Sequence, residues 1–145
     1  MLTDMFRKID HVEIVTREPE RSAKFYVEVL GFTERLRQQV PMSRDGSGGI
    51  LDIVYLDLGG TGLELLTYRG VPVAEAPEGI QLGYRLMALE VDDMKATLEQ
   101  LAAKGIGPSW GPIRVAQYTR AEIRDPDGYS VELREWHVPL AGRGR

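Results

Sequence analysis

The sequence predicts an α+β protein built from two tandem βαβββ modules. Three observations carry that expectation. Strand-like alternation recurs in two blocks; each block opens with a strand and a helix-spaced segment ending in glycine (Gly31, Gly105); and an aspartate, a glycine turn and a Glu-Leu strand follow one another once per block. Asp57 leads into Glu64-Leu65 and Asp125 into Glu132-Leu133, and both Asp-to-Glu separations are seven residues. A single match of this kind is within chance. The whole order recurring twice points to duplication.

In the first block, Ile9-Asp10-His11-Val12-Glu13-Ile14-Val15 alternates polar and apolar residues, as a half-buried strand does, with His11 and Glu13 on one face. Pro19 stands where a first helical turn tolerates proline. Ser22, Ala23, Phe25, Tyr26, Val29 and Leu30 then recur at helical spacing until Gly31. Residues 32–40 read as a second strand, 43–49 as a flexible turn, 50–58 as a third strand, 59–62 as a tight glycine turn and 63–68 as a fourth strand. Residues 70–82, with Pro72, Pro77 and Gly79, read as a linker.

The pattern restarts at residues 84–91, a strand with Met87, Leu89 and Val91 on one face. Asp92 or Asp93 can cap the helix that follows, which buries Met94, Leu98 and Leu101. Glycines and prolines around Trp110 make the middle of this half irregular. A hairpin closes it: residues 119–124, the turn Asp125-Pro126-Asp127-Gly128, then residues 129–136. The expected divisions are residues 6–69, a linker at 70–82, residues 83–136, and a tail at 137–145 in which Arg143 and Arg145 look frayed and His137 exposed.

Composition excludes several classes of function. The chain has 145 residues, no cysteine and a net charge of −4, so thiolate chemistry and disulfides are absent and a clustered phosphate-binding face is disfavoured. Arg35 and Arg37 alternate like a solvated sheet face. No apolar run approaches the roughly 20 residues that span a bilayer, and residues 1–8 lack a leader core. The expected compartment is the cytoplasm, with neither nucleic acid nor membrane as partner.

Several segments together resemble the vicinal oxygen chelate superfamily, which includes glyoxalases, bleomycin-resistance proteins and dioxygenases. They are Asp10-His11-Val12-Glu13-Ile14, Ser22-Ala23-Lys24-Phe25-Tyr26 with Val29-Leu30-Gly31-Phe32, Leu89-Glu90-Val91-Asp92-Asp93, and Asp125-Pro126-Asp127-Gly128-Tyr129-Ser130-Val131-Glu132-Leu133. The resemblance runs from about residue 6 to residue 136. It implies a cup-shaped mixed sheet, a small-molecule ligand, a homodimer, and a divalent metal held by the first and last strands of the two halves. Carried over by position, His11 matches the first ligand, Glu64 the second and Glu132 the fourth. The third falls on Leu86, which cannot bind a metal.

Strand parity agrees that these groups share a sheet-face environment. Leu63 and Leu65 flank Glu64, and Val131 and Leu133 flank Glu132, so each glutamate faces away from an apolar core. One imidazole and two carboxylates suit Zn²⁺, Mn²⁺, Ni²⁺, Co²⁺ or Fe²⁺. Such a metal would stabilise the charge that develops when a proton leaves carbon beside a carbonyl, with Glu132 or Glu64 as base. The plainer alternatives are a hydrogen-bonded strand histidine and two solvated glutamates. Glu13 and Glu90 are polar positions on which surface roles are commoner, and either could replace the missing ligand. Tyr118, Arg120 and Arg124 share one parity; an arginine there could clamp an anion on the ligand, or more plainly pair across strands with a glutamate. Trp110, Tyr68 and Trp136 read as packing residues.

Two functions follow from the resemblance. One is metal-assisted proton abstraction of lyase or isomerase/epimerase type, similar to glyoxalase I or methylmalonyl-CoA epimerase. The alternative is metal-free binding or sequestration of a small molecule, similar to bleomycin-resistance proteins. An extradiol dioxygenase needs a second strand histidine, and a fosfomycin-type transferase has no anion motif here to support it.

Overall fold

The first strand lays its residues beside the fourth, and this parallel pairing organises each half. The computed structural model describes residues 5–45 and 47–144, so residues 1–4, Gly46 of the expected 43–49 turn and Arg145 lie outside the described residues. It divides into two compact units, residues 1–77 and 78–145.

In the first unit, β1 (His11–Val15), α1 (Pro19–Lys24), β2 (Thr33–Pro41), β3 (Ile50–Leu58) and β4 (Thr61–Arg69) follow in order. The sheet order is β1-β4-β3-β2, with β1 parallel to β4 and the remaining pairs antiparallel. A parallel pair needs a long crossover, and α1, β2 and β3 supply it. The helix does not run on evenly to Leu30 as its spacing suggests. Phe25–Val29 widens into a π turn, closed by Leu30 N–H donating to Phe25 O at 3.2 Å. Gly31, at φ 80°, then stops the helix.

Alternation explains the core. Val54 and Leu56 of β3 and Leu63 and Leu65 of β4 are buried against Ala23, Phe25 and Tyr26. Tyr26 meets Phe25 and Phe32 edge-on, each at 5.4 Å between ring centres.

The second unit repeats the plan: β5 (Met87–Glu90), α2 (Met94–Ala103), β6 (Trp110–Arg114), β7 (Tyr118–Arg124) and β8 (Ser130–Trp136), in sheet order β5-β8-β7-β6. Strand β5 is again parallel to the last strand of its unit. The Asp93 carboxylate accepts from Ala96 N–H at 2.9 Å and caps α2. Buried Met94 and Leu101 of α2, Ala121 and Ile123 of β7, and Val131 and Leu133 of β8 form its core. Two four-stranded mixed sheets with two helices make this the expected α+β fold of two βαβββ modules.

Several local expectations are corrected. Strand β1 begins at His11 rather than residue 9, and β5 is four residues long rather than eight. The stretch around Trp110 is a strand, with an irregular register against β7 between Trp110 and Ile113. His137 is not exposed: its Nε2 lies 2.9 Å from Thr119 Oγ1, and its side chain is 16% accessible. Arg143 is not frayed either. Its guanidinium grips both Glu90 oxygens, at 2.6 and 3.1 Å, and stacks over Trp136. Among the described residues no helix is long and apolar enough to cross a membrane.

Candidate functional site

In the first unit the register sets His11 beside Gly62 and Glu13 beside Glu64 on the parallel pair β1–β4. Parity sends Leu63 and Leu65 into the core, 1% and 0% exposed, and turns Glu64 to the opposite face. His11 Nε2 lies 3.4 Å from Glu13 Oε1 and 3.9 Å from Glu64 Oε2. One ligating atom from each of the three residues falls within a 4.8 Å span. Sequence reading named His11 and Glu64 and kept Glu13 as a substitute ligand. The structure brings all three together. Glu90, the other substitute considered, is engaged by Arg143.

Asp10 orients the imidazole. Its carboxylate accepts from His11 Nδ1 at 2.8 Å, which leaves Nε2 directed at the two glutamates. That hydrogen bond, with Glu64 and Glu13 nearby, raises the His11 pKa above 6.5 despite some desolvation. The sign for stability follows. Protonated His11 favours the folded metal-free chain below pH 6.5, and this contribution is lost as pH climbs through the raised value. Asp10→Asn is therefore expected to lower the His11 pKa, read from imidazole proton shifts in metal-free protein. An unchanged titration would mean that Asp10 does not hold the ring.

The Glu64 carboxyl is also raised, first by burial and then by Glu13, with His11 pulling the other way. Tyr55, paired with Glu64 across β3–β4, meets the His11 ring edge-on at 6.2 Å between centres.

Gly62 makes this closeness possible. A Cβ there would sit 2.3 Å from Tyr55 Oη and 2.8 Å from His11 Cβ. Sequence reading placed Gly62 in a turn; its place in β4 marks a close approach of neighbouring side chains. Gly62→Ala is expected to cost roughly 1–3 kcal/mol through overpacking and to displace His11. A urea melt and imidazole proton shifts check both effects.

The second unit holds Glu132, but in a different chemical setting. Its side chain is 5% accessible and faces two guanidiniums: Arg134 Nη2 at 2.6 Å from Oε1 and Arg120 Nη2 at 3.3 Å from Oε2. Neither Glu64 nor Glu132 is a freely solvated sheet-face residue. Beside Glu132 across β7–β8 lies Glu122, buried likewise and paired with Arg85 and Arg120, each at 3.0 Å. Burial pushes the Glu122 pKa up, but Arg85 and Arg120 outweigh it and the net direction is down. Sequence reading missed Glu122, although Ala121 and Ile123 flank it just as apolar residues flank Glu132.

On the other face of this sheet, α2, Pro112, Arg114, Thr119 and Glu135 line a cavity of about 690 Å³. Thr119, His137 and Glu135 form a hydroxyl–imidazole–carboxylate chain there, but His137 Nδ1 to Glu135 Oε1 is 3.5 Å and Glu135 Oε2 already accepts from Met94 N–H. That chain anchors α2 to β8.

The donor sets test the metal that the superfamily resemblance implies. An imidazole nitrogen and two carboxylates on one sheet face fit a borderline divalent cation. In the second unit Leu86 has no donor atom, and both Glu132 oxygens are already opposed by cationic groups.

Comparison with known proteins agrees with the architecture. The Glyoxalase/Bleomycin resistance protein/Dioxygenase superfamily profile matches residues 8–133. Lactoylglutathione lyase of Haemophilus influenzae is 30% identical over 141 residues, covering 94% of this chain and 98% of that protein. Mitochondrial methylmalonyl-CoA epimerase of Homo sapiens is 27% identical over 135 residues, covering 88% of this chain and 73% of that protein. The crystal structure of a glyoxalase family protein from Enterococcus faecalis superposes with a TM-score of 0.70 at 29% identity, over 90% of this chain and 99% of that one. The repeated βαβββ plan and the matched span together mean that this chain belongs to the Glyoxalase/Bleomycin resistance protein/Dioxygenase superfamily.

Proposed function

We propose that the protein acts on a small metabolite by metal-assisted proton abstraction, as a lyase or an isomerase/epimerase. One observation carries this reading: the ligating atoms of His11, Glu13 and Glu64 within 4.8 Å of one another on one sheet face. His11 Nε2 and the two carboxylates would hold Zn²⁺, Mn²⁺, Ni²⁺, Co²⁺ or Fe²⁺. When bound, such an ion supplies Lewis-acid stabilisation of charge developing on a carbonyl oxygen.

The chain's own residues do the rest. Asp10 fixes the imidazole so that Nε2 is the nitrogen turned toward Glu13 and Glu64. Glu64 is the proposed proton acceptor, because its carboxylate is partly buried on the reacting face, 3.9 Å from His11 Nε2. Leu63 and Leu65, locked in the core, keep it on the reacting face. Glu132, the other candidate base, is assigned to holding Arg120 and Arg134, because each of its two oxygens already faces a guanidinium. The relatives named as lyase and epimerase support the reaction class.

Protein purified without chelator is expected to carry about one divalent metal per chain, and His11→Ala and Glu64→Ala to lose it. Acyl thioesters incubated with the loaded protein in D₂O should gain deuterium beside the carbonyl. A chain that stays metal-free under excess of all five ions overturns the proposal. A second reading, metal-free ligand binding of the bleomycin-resistance type, is favoured by Leu86 and by the arginine-bound state of Glu132. It predicts tight binding of an unaltered compound with no deuterium uptake.

A further inference from the structure

On the face of the second unit's sheet opposite α2, the geometry points to a recognition surface for a small aromatic monocarboxylate, presented by Arg120 and Arg134. The inference rests on the small-metabolite reading above and names the chemistry of that metabolite. It does not involve His11, Glu13 or Glu64.

Parity places the groups. Val131 and Leu133 are buried on the helix side, and Glu135 accepts from Met94 N–H of α2. Glu132 and Arg134 therefore occupy the other face, together with their cross-strand partners Glu122 and Arg120. Like faces like in this pairing: Arg120 is registered with Arg134, and Glu122 with Glu132. Like charges directly opposite one another are unfavourable, so the arrangement persists through its alternation along the strands. The Glu132 and Glu122 side chains are 5% and 8% accessible, and those of Arg120 and Arg134 are 25% accessible. The acids anchor and the arginines are presented.

Aromatic rings fix the guanidinium planes. Arg120 sits 4.7 Å over Trp110, and Arg134 lies 4.2 Å over Tyr118 and 5.1 Å from Trp136. A planar fork held by rings and buried acids is pre-organised for a carboxylate, which lowers the ordering cost of binding. Arg120 Nε is buried without a hydrogen-bond partner among the described residues, so this fork has a donor that the protein itself does not satisfy. Trp110, 45% exposed, offers a π-face for a ligand ring beside it.

Charge selects the anion. Arg85, Arg120 and Arg134 face Glu122 and Glu132, Arg124 shares their strand parity, and Glu90 and Arg143 cancel each other, so the face carries net positive charge.

The test uses the full chain after chelator treatment, titrated calorimetrically with 1-naphthoate, its neutral amide 1-naphthamide, and 1-naphthyl phosphate. Naphthoate is expected to bind at least about tenfold more tightly than the amide, and Arg120→Gln and Arg134→Gln each to bring the two within about twofold. Trp110→Ala, which removes the ring that holds the Arg120 plane but no charge, should weaken naphthoate more than naphthamide; it keeps the test decisive if an arginine variant fails to fold. Equal binding of acid and amide, no binding of either at millimolar concentration, or an acid preference that survives Arg120→Gln in folded protein overturns the proposal. Naphthyl phosphate binding more tightly than naphthoate overturns the assignment to a monoanion. His11→Ala is expected to keep the naphthoate preference, and a parent chain that takes up no metal yet keeps that preference rejects the metal chemistry alone.

Discussion

Glu132→Ala is expected to destabilise the metal-free chain by roughly 3 kcal/mol, the lower end of the cost of breaking a buried ion pair. The lower end applies because Arg120 and Arg134 are a quarter exposed and regain some hydration when the carboxylate is gone. Removing Glu132 leaves two neighbouring guanidiniums, registered directly across β7 and β8, with one remaining carboxylate, Glu122, which Arg85 and Arg120 already share. Repulsion and lost hydrogen bonds therefore act together. Urea melts in the presence of chelator measure the effect. If Glu132 served as a metal ligand in place of this ion-pair role, alanine would lower metal affinity and leave the metal-free midpoint nearly unchanged, as surface changes do, within about 0.5 kcal/mol. The two outcomes are separated by several-fold in free energy.

Leu65→Ala is expected to cost roughly 2–5 kcal/mol, through lost transfer free energy and the cavity left behind. Leu65 is fully buried, next to Glu64 in the chain and on the opposite face of β4. It therefore sets the register that points Glu64 at His11, and the same variant should bind metal more weakly even where it remains folded. Glu13→Ala provides the contrast, since a half-exposed side chain leaves no cavity. Its melting midpoint should match the parent while metal affinity falls. A Leu65→Ala protein as stable as the parent would mean that this part of the core is loosely packed.

Much of the fold was legible because period-two alternation is a local signal. Ile50–Leu58 was read with its observed bounds, and Asp93 was rightly among the expected caps of α2. Element ends were less legible. Residues 9 and 10 alternate like β1, but the described ladder begins with His11 opposite Gly62, and Asp10 joins it through its carbonyl, which accepts from Gly62 N–H at 2.8 Å. The strand at Trp110 was hidden by Gly111 and Pro112, which read as breakers unless the partner strand β7 is known. The tail was misjudged because Arg143 depends on Glu90, 53 residues away, and nothing near Arg143 announces that partner.

The candidate site divides in the same way. Local sequence determined the repeated βαβββ plan, the parity of Glu64 and Glu132, the lack of a donor at Leu86 and the absence of thiol chemistry, because each depends on residue identity and a period of two. Only tertiary structure decided which charges meet. It joined Glu13 to His11 and Glu64 through the parallel register of β1 on β4, and it surrounded Glu132 with arginines through the register of β7 on β8. A carboxylate beside an imidazole and a carboxylate between two guanidiniums read alike in sequence. Coulomb energy depends on distance and on the surrounding medium, and both are set only when distant strands come together.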